Sequence, residues 1–195
     1  AMPDLDLVTV ILPHNLHAPM ALKCLEAGKN VVLEKPFCIT IAEANAMIAK
    51  ARETGRMLSL FHNRRWDGDY LTIHDIINRG LIGEIFHVEC GQGGYRHPGY
   101  WWRSDKAISG GAMYDWGAHF LDWILNLVPA KVAQVTGNFR KLVWHSVTNE
   151  DHGQVYLRFD NGVTAEYTIS HIAAISGPRW RILGTKGAIE YDRDE

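Results

Sequence analysis

The run "LDLVTVIL", closed by Pro13, is continuous, apolar and β-branched, and it limits the possible folds more than any other stretch of this chain. A strand with apolar residues on both faces has to be covered on both, as at the centre of a parallel sheet. The residues that follow keep to that grammar. "HAPMALKCLEAG" sets apolar residues at helical spacing and stops at Gly28, and "NVVLEK" is a second apolar strand. Thr40 and Glu43 form a capping box that opens a helix ending at Gly55, after which "RMLSLF" is a third short strand. This alternation predicts a parallel sheet wrapped by helices.

After Phe61 the pattern changes. One helix, "DYLTIHDIINRG", leads into the alternating "GEIFHVECG" and a region rich in strands and turns. "QVYLRF" and "VTAEYTI" flank Asp160-Asn161-Gly162, and "RWRILG" and "GAIEYD" flank Thr185-Lys186, two hairpin signals. The expected class is therefore α/β. A parallel part over residues 1–65 is followed by an α+β part over residues 66–195 with a large, mainly antiparallel sheet. The helix "AMYDWGAHFLDWILNL", apolar around most of its circumference, should pack on that sheet.

Composition narrows the function. The 20 basic and 22 acidic residues, a formal net charge of -2, are spread along the chain and offer no basic stripe for nucleic acid. No apolar stretch approaches the ~20 residues of a membrane span, and the opening lacks the plan of a signal peptide. Cys24, Cys38 and Cys90 lack metal-ligand spacing and read as buried, reduced thiols of a cytoplasmic protein.

Ligands of open parallel sheets bind beyond the carboxyl ends of the strands, so Pro13-His14-Asn15 and Glu34-Lys35-Pro36 share one functional edge. A charged pair at a strand end is also a common solvated turn. In "GGAMYDWGAHFLDW", Asp115 and His119 stand four apart, which stacks a carboxylate and an imidazole on one helix face. That spacing suits a reactive pair, a surface ion pair or a satisfied core histidine alike. Gly110-Gly111 lets a backbone approach something closely. A metal site built from Asp115, His119 and Asp122 lacks a second histidine or a cysteine, and no metal is expected. Residues 91–111 form a long loop with little periodicity; its Tyr100, Trp101, Trp102 and Arg103 suit a polyhydroxylated ligand, or fold over the sheet as cover.

Taken in order, "LPHNLH", "EKP", "NRRW" and "GGAMYDWGAH" resemble the motifs of the Gfo/Idh/MocA family of NAD(P)-dependent oxidoreductases. The resemblance implies that residues 1–65 are the C-terminal part of a Rossmann-like dinucleotide-binding domain and residues 66–195 a substrate-binding and association domain. It implies NAD or NADP as cofactor, a sugar, inositol or related polyol as substrate, and a homo-oligomer, dimer or tetramer. Carried over residue by residue, Lys35, Asp115 and His119 are the catalytic group, with His119 as general base. Pro13, Asn15, His17, Glu34, Lys35 and Pro36 border the cofactor, and Arg64, Trp102 and Arg103 the substrate. A glycosidase or lyase that uses NAD, and a ligand-sensing relative without activity, are open alternatives. The family's opening G-x-G-x-x-G turn is not among these residues, so the sequence reads as an internal piece of a longer enzyme, inactive alone, with Ala1-Met2 as a cloning scar.

Overall fold

The computed structural model describes Met2 and residues 4–191; Ala1 and Asp192, both part of the reading above, lie outside the described residues. Strands β1 (Leu7–Val10), β2 (Asn30–Glu34) and β3 (Leu58–Phe61) form a parallel sheet in that order, connected through α1 (His17–Glu26) and α2 (Ile41–Thr54). Ala18, Ala21 and Leu25 of α1 and Met47 of α2 close over Val31 and Leu33 of the central strand, all of them buried. The capping box forms as expected: Thr40 Oγ1 accepts from the Glu43 N–H, the Glu43 carboxylate accepts from the Thr40 N–H, and Gly55 ends the helix at φ 63°.

Strand β1 corrects the first expectation. Among the described residues it pairs with β2 alone, and Leu7 and Ile11 are 42% and 71% exposed. The apolar run reports what the strand can pack against, whereas cover is supplied by other elements.

A 3-10 turn over Asn63–Trp66 leads to α3 (Gly68–Asn78) and to a six-stranded mixed sheet. Its strands are β4 (Ile85–Gly93), β5 (Val132–Arg140), β6 (His152–Phe159), β7 (Thr164–Ser170), β8 (Trp180–Gly184) and β9 (Ala188–Tyr191), in the order β5-β6-β7-β4-β8-β9. All neighbours are antiparallel except β4 and β7, and both expected hairpins are present. The long loop carries a 3-10 turn at Trp102–Ser104 and the short α4 (Lys106–Ser109) before α5 (Ala112–Leu127). Phe120, Trp123, Ile124 and Leu127 of α5 pack on Tyr167, Trp180 and Ile182 of the sheet. Gly117 permits this closeness, because a Cβ there would stand 2.6 Å from Met113 Sδ and 3.2 Å from the Tyr167 ring. Cys90 is buried, but Cys24 and Cys38 are only half-buried, a second departure from expectation.

Candidate active site

The carboxyl end of β2 and the first turn of α5 meet in the cleft between the sheets. Lys35 follows the last residue of β2, and its Nζ donates to Asp115 Oδ1 at 2.5 Å and to the Asp115 carbonyl at 3.1 Å. The Lys35–Pro36 peptide, whose isomer the sequence leaves open, is cis. Arg103 Nε lies 3.5 Å from the other Asp115 oxygen. Burial alone would push the Asp115 carboxyl up, yet the Lys35 ammonium and the Arg103 guanidinium hold it below the usual carboxylate range. Asp115 therefore pairs with the lysine, and not with His119.

One turn on, His119 is 3% exposed and its Nδ1 has no partner among the described residues. Burial, reinforced by Lys35 and Arg64, lowers its pKa to about 3. The ring is neutral at pH 7, a weak base buried beside cationic groups. His62, at the end of β3, stands edge-on to it with ring centres 6.3 Å apart.

Further ties fix this geometry. His14 Nδ1 donates to the Ser109 carbonyl at 2.8 Å, Tyr114 Oη donates to the Ile39 carbonyl at 2.8 Å, and Arg65 holds Asp122 through two bonds of 2.7 and 2.6 Å. The close approach expected at Gly110-Gly111 is to Glu150: a Cβ on Gly111, φ 125°, would stand 2.9 Å from its Oε2, which accepts from the Ala112 N–H.

The other expected residues divide. Pro13, Asn15, Glu34 and Pro36 stand at the strand ends; the Glu34 carboxylate turns back to accept from the Lys35 N–H at 3.1 Å. His17 is not at the cleft surface: it is fully buried, and both ring nitrogens lie 2.8 Å from carbonyl oxygens, of Pro36 and Leu12. It fastens the ends of β1 and β2 together. Arg64 is engaged by Asp67 at 2.8 Å and lies over the Trp116 ring, and Trp102 packs edge-on against His14 at 4.8 Å. Its neighbour Trp101, with Gln92, Arg96, His97, Arg103, Asp115 and Trp116, lines a cavity of about 230 Å³. Gln92, Arg96, His97 and Trp116 carry no sequence signal of their own; only the fold brings them beside Asp115. Among the described residues no helix is long and apolar enough to cross a membrane.

Comparison with known proteins shows the family and the fold. A family model described as an oxidoreductase family with an NAD-binding Rossmann fold matches residues 1–62, and one for the GFO/IDH/MocA C-terminal domain matches residues 70–190. The scyllo-inositol 2-dehydrogenase (NADP(+)) IolW of Bacillus subtilis is 34% identical over 98% of this chain and 53% of its own length. The NAD-binding protein of Listeria innocua superimposes with a TM-score of 0.90 at 35% identity, over 97% of this chain and 54% of that one. An aldose-aldose oxidoreductase from Caulobacter crescentus, complexed with glycerol, gives a TM-score of 0.86 at 28% identity, over 98% of this chain and 57% of that one. The chain thus spans about half the length of these relatives. It belongs to the Gfo/Idh/MocA family of oxidoreductases.

Proposed function

We propose that the intact enzyme carrying this chain transfers a hydride between NAD or NADP and a secondary alcohol of a sugar, an inositol or a related polyol. The observation that carries this reading is the meeting of Lys35 and Asp115 at the carboxyl edge of a parallel sheet, with the unpartnered Nδ1 of His119 one helical turn away. The residues fit a nicotinamide cofactor. Pro13, Asn15, Glu34 and Pro36 reach one rim, and the buried Nδ1 is an orphan that a substrate hydroxyl would satisfy.

When bound, the nicotinamide supplies the hydride acceptor. His119, in the tautomer that leaves Nδ1 free, accepts the hydroxyl proton. Lys35 donates from Nζ to the same oxygen and offsets the negative charge that develops on it. Asp115 holds Lys35 in place, and its charge keeps the ammonium at this rim. In this reading residues 1–65 serve cofactor binding and residues 66–195 substrate binding and subunit association, in a cytoplasmic enzyme. Calorimetric titration with NAD and NADP, then a screen of sugars and inositols for reduced nicotinamide, tests it. Micromolar binding of one cofactor and turnover of a polyol are expected; absence of both overturns the reading.

A further inference from the structure

Around the cleft, every arginine but one has a carboxylate. Arg64 pairs with Asp67 at 2.8 Å, Arg65 with Asp122 at 2.6 Å, Arg103 with Asp115 at 3.5 Å, and Arg179 with Asp69 at 2.7 Å. Arg96 lines the cavity beside Asp115 and a second one of about 510 Å³ that shares Gln92, Trp116 and His171 with it. It has no ion-pair or side-chain hydrogen-bond partner among the described residues. Its backbone is nonetheless fixed, while the side chain is exposed. The Arg96 N–H donates to the His171 carbonyl and the Gly94 N–H to the Ser170 carbonyl, both at 3.1 Å, and Tyr95 bridges to Ile172.

The surroundings favour an anion. The single carboxylate lining the cavity beside Arg96 is that of Asp115, already shared by Lys35 and Arg103. His97 does not oppose an anion either: its Nδ1 accepts from the Gly99 N–H at 3.0 Å, and its Nε2 donates to Ser146 Oγ at 3.0 Å. A planar guanidinium on a fixed strap, facing a cavity with no free carboxylate, matches a carboxylate or phosphate through two parallel bonds.

We infer that the substrate carries an anionic group, a carboxylate or a phosphate ester on the polyol, which Arg96 reads. This rests on the oxidoreductase reading above. The test uses the intact enzyme with matched substrates: glucose against glucuronate and glucose 6-phosphate, and inositol against its monophosphate. An anionic member should exceed its neutral counterpart in kcat/KM by about tenfold or more, and the acid and phosphate arms tell which anion is read. Arg96→Gln should lower kcat/KM for the anionic substrate roughly ten- to hundredfold, the range of a lost hydrogen bond to a charged group, and change the neutral one less than about threefold. Preference for neutral polyols, unchanged by Arg96→Gln, overturns the inference and leaves the oxidoreductase reading standing. If no polyol is oxidised, that reading fails, and calorimetry decides the inference alone: glucuronate or glucose 6-phosphate binding lost in Arg96→Gln supports it, and no binding overturns it.

Discussion

Nδ1 of His119 and Oη of Tyr167 are the two buried side-chain polar atoms left without a partner among the described residues, and they call for opposite explanations. The histidine stands one helical turn from Asp115, and in the proposed reading a substrate hydroxyl completes it. The folded pKa of His119, about 3, lies below the ~6.5 of an unfolded chain, so its contribution to stability is complete above ~6.5 and is lost as pH falls through that value toward 3. Its ring resonances should show no titration between about pH 5 and 8; a midpoint near 6.5 in the folded protein would contradict the account. Tyr167 faces the core, and removing its hydroxyl by Tyr167→Phe should leave stability unchanged or raise it by up to about 1 kcal/mol, measured by urea denaturation. A clear loss would show that the hydroxyl is bonded after all. Asp115 and His119 share a helix face as their spacing of four implies, and the meeting of Lys35 with Asp115 is a tie between motifs that only the family resemblance linked. The setting of His17 was not legible in the sequence, since its two carbonyl partners come from separate loops, and neither was the role of Arg96, which depends on which carboxylates its neighbours have already taken.

Helix α5 shows what periodicity can and cannot supply. Its boundaries and its packing on the sheet follow from sixteen residues that are mostly apolar, whereas the tolerance at Gly117 depends on Tyr167, fifty positions away. Gly117→Ala should destabilise the protein by about 1–3 kcal/mol through overpacking, seen as a lower urea midpoint at unchanged slope. The same holds for the turn after β5. Asp151 is 1% exposed and accepts the N–H groups of Leu142, Val143 and Trp144 and the Lys141 ammonium. Burial works against its charge, but these bonds outweigh burial and lower its pKa to about 2. Its stabilisation is therefore complete above the unfolded value of ~3.9 and is lost as pH falls toward 2. Asp151→Asn should cost about 2–3 kcal/mol at pH 7, with the difference from the natural protein shrinking below about pH 4. An equal difference at pH 7 and pH 3 would refute that cause. Strand β1 marks the limit in the other direction: its apolar run announced a strand correctly, but position in a sheet belongs to the partners.

For the whole molecule, the six-stranded sheet buries one face under α5 and leaves Tyr156, between Thr136 and Glu166, exposed on the other, so association through that face is expected, as a dimer or tetramer by light scattering of the intact enzyme. Among the ties between the two parts, the Lys35–Asp115 pair spans the cleft, and His119 stands one turn further along the same helix. The most direct measurement is turnover and cofactor affinity for His119→Ala and Lys35→Met in the intact enzyme, on whichever polyol it oxidises. His119→Ala should lower kcat by about 10² to 10⁴ with cofactor Kd little changed, because proton transfer supplies that factor and the imidazole does not grip the dinucleotide. Lys35→Met should lower kcat as well and also weaken the cofactor, because Lys35 follows the end of β2 at the rim that the proposed reading gives to the cofactor. Near-normal turnover in both variants would contradict the account and return Lys35, Asp115 and His119 to purely structural roles.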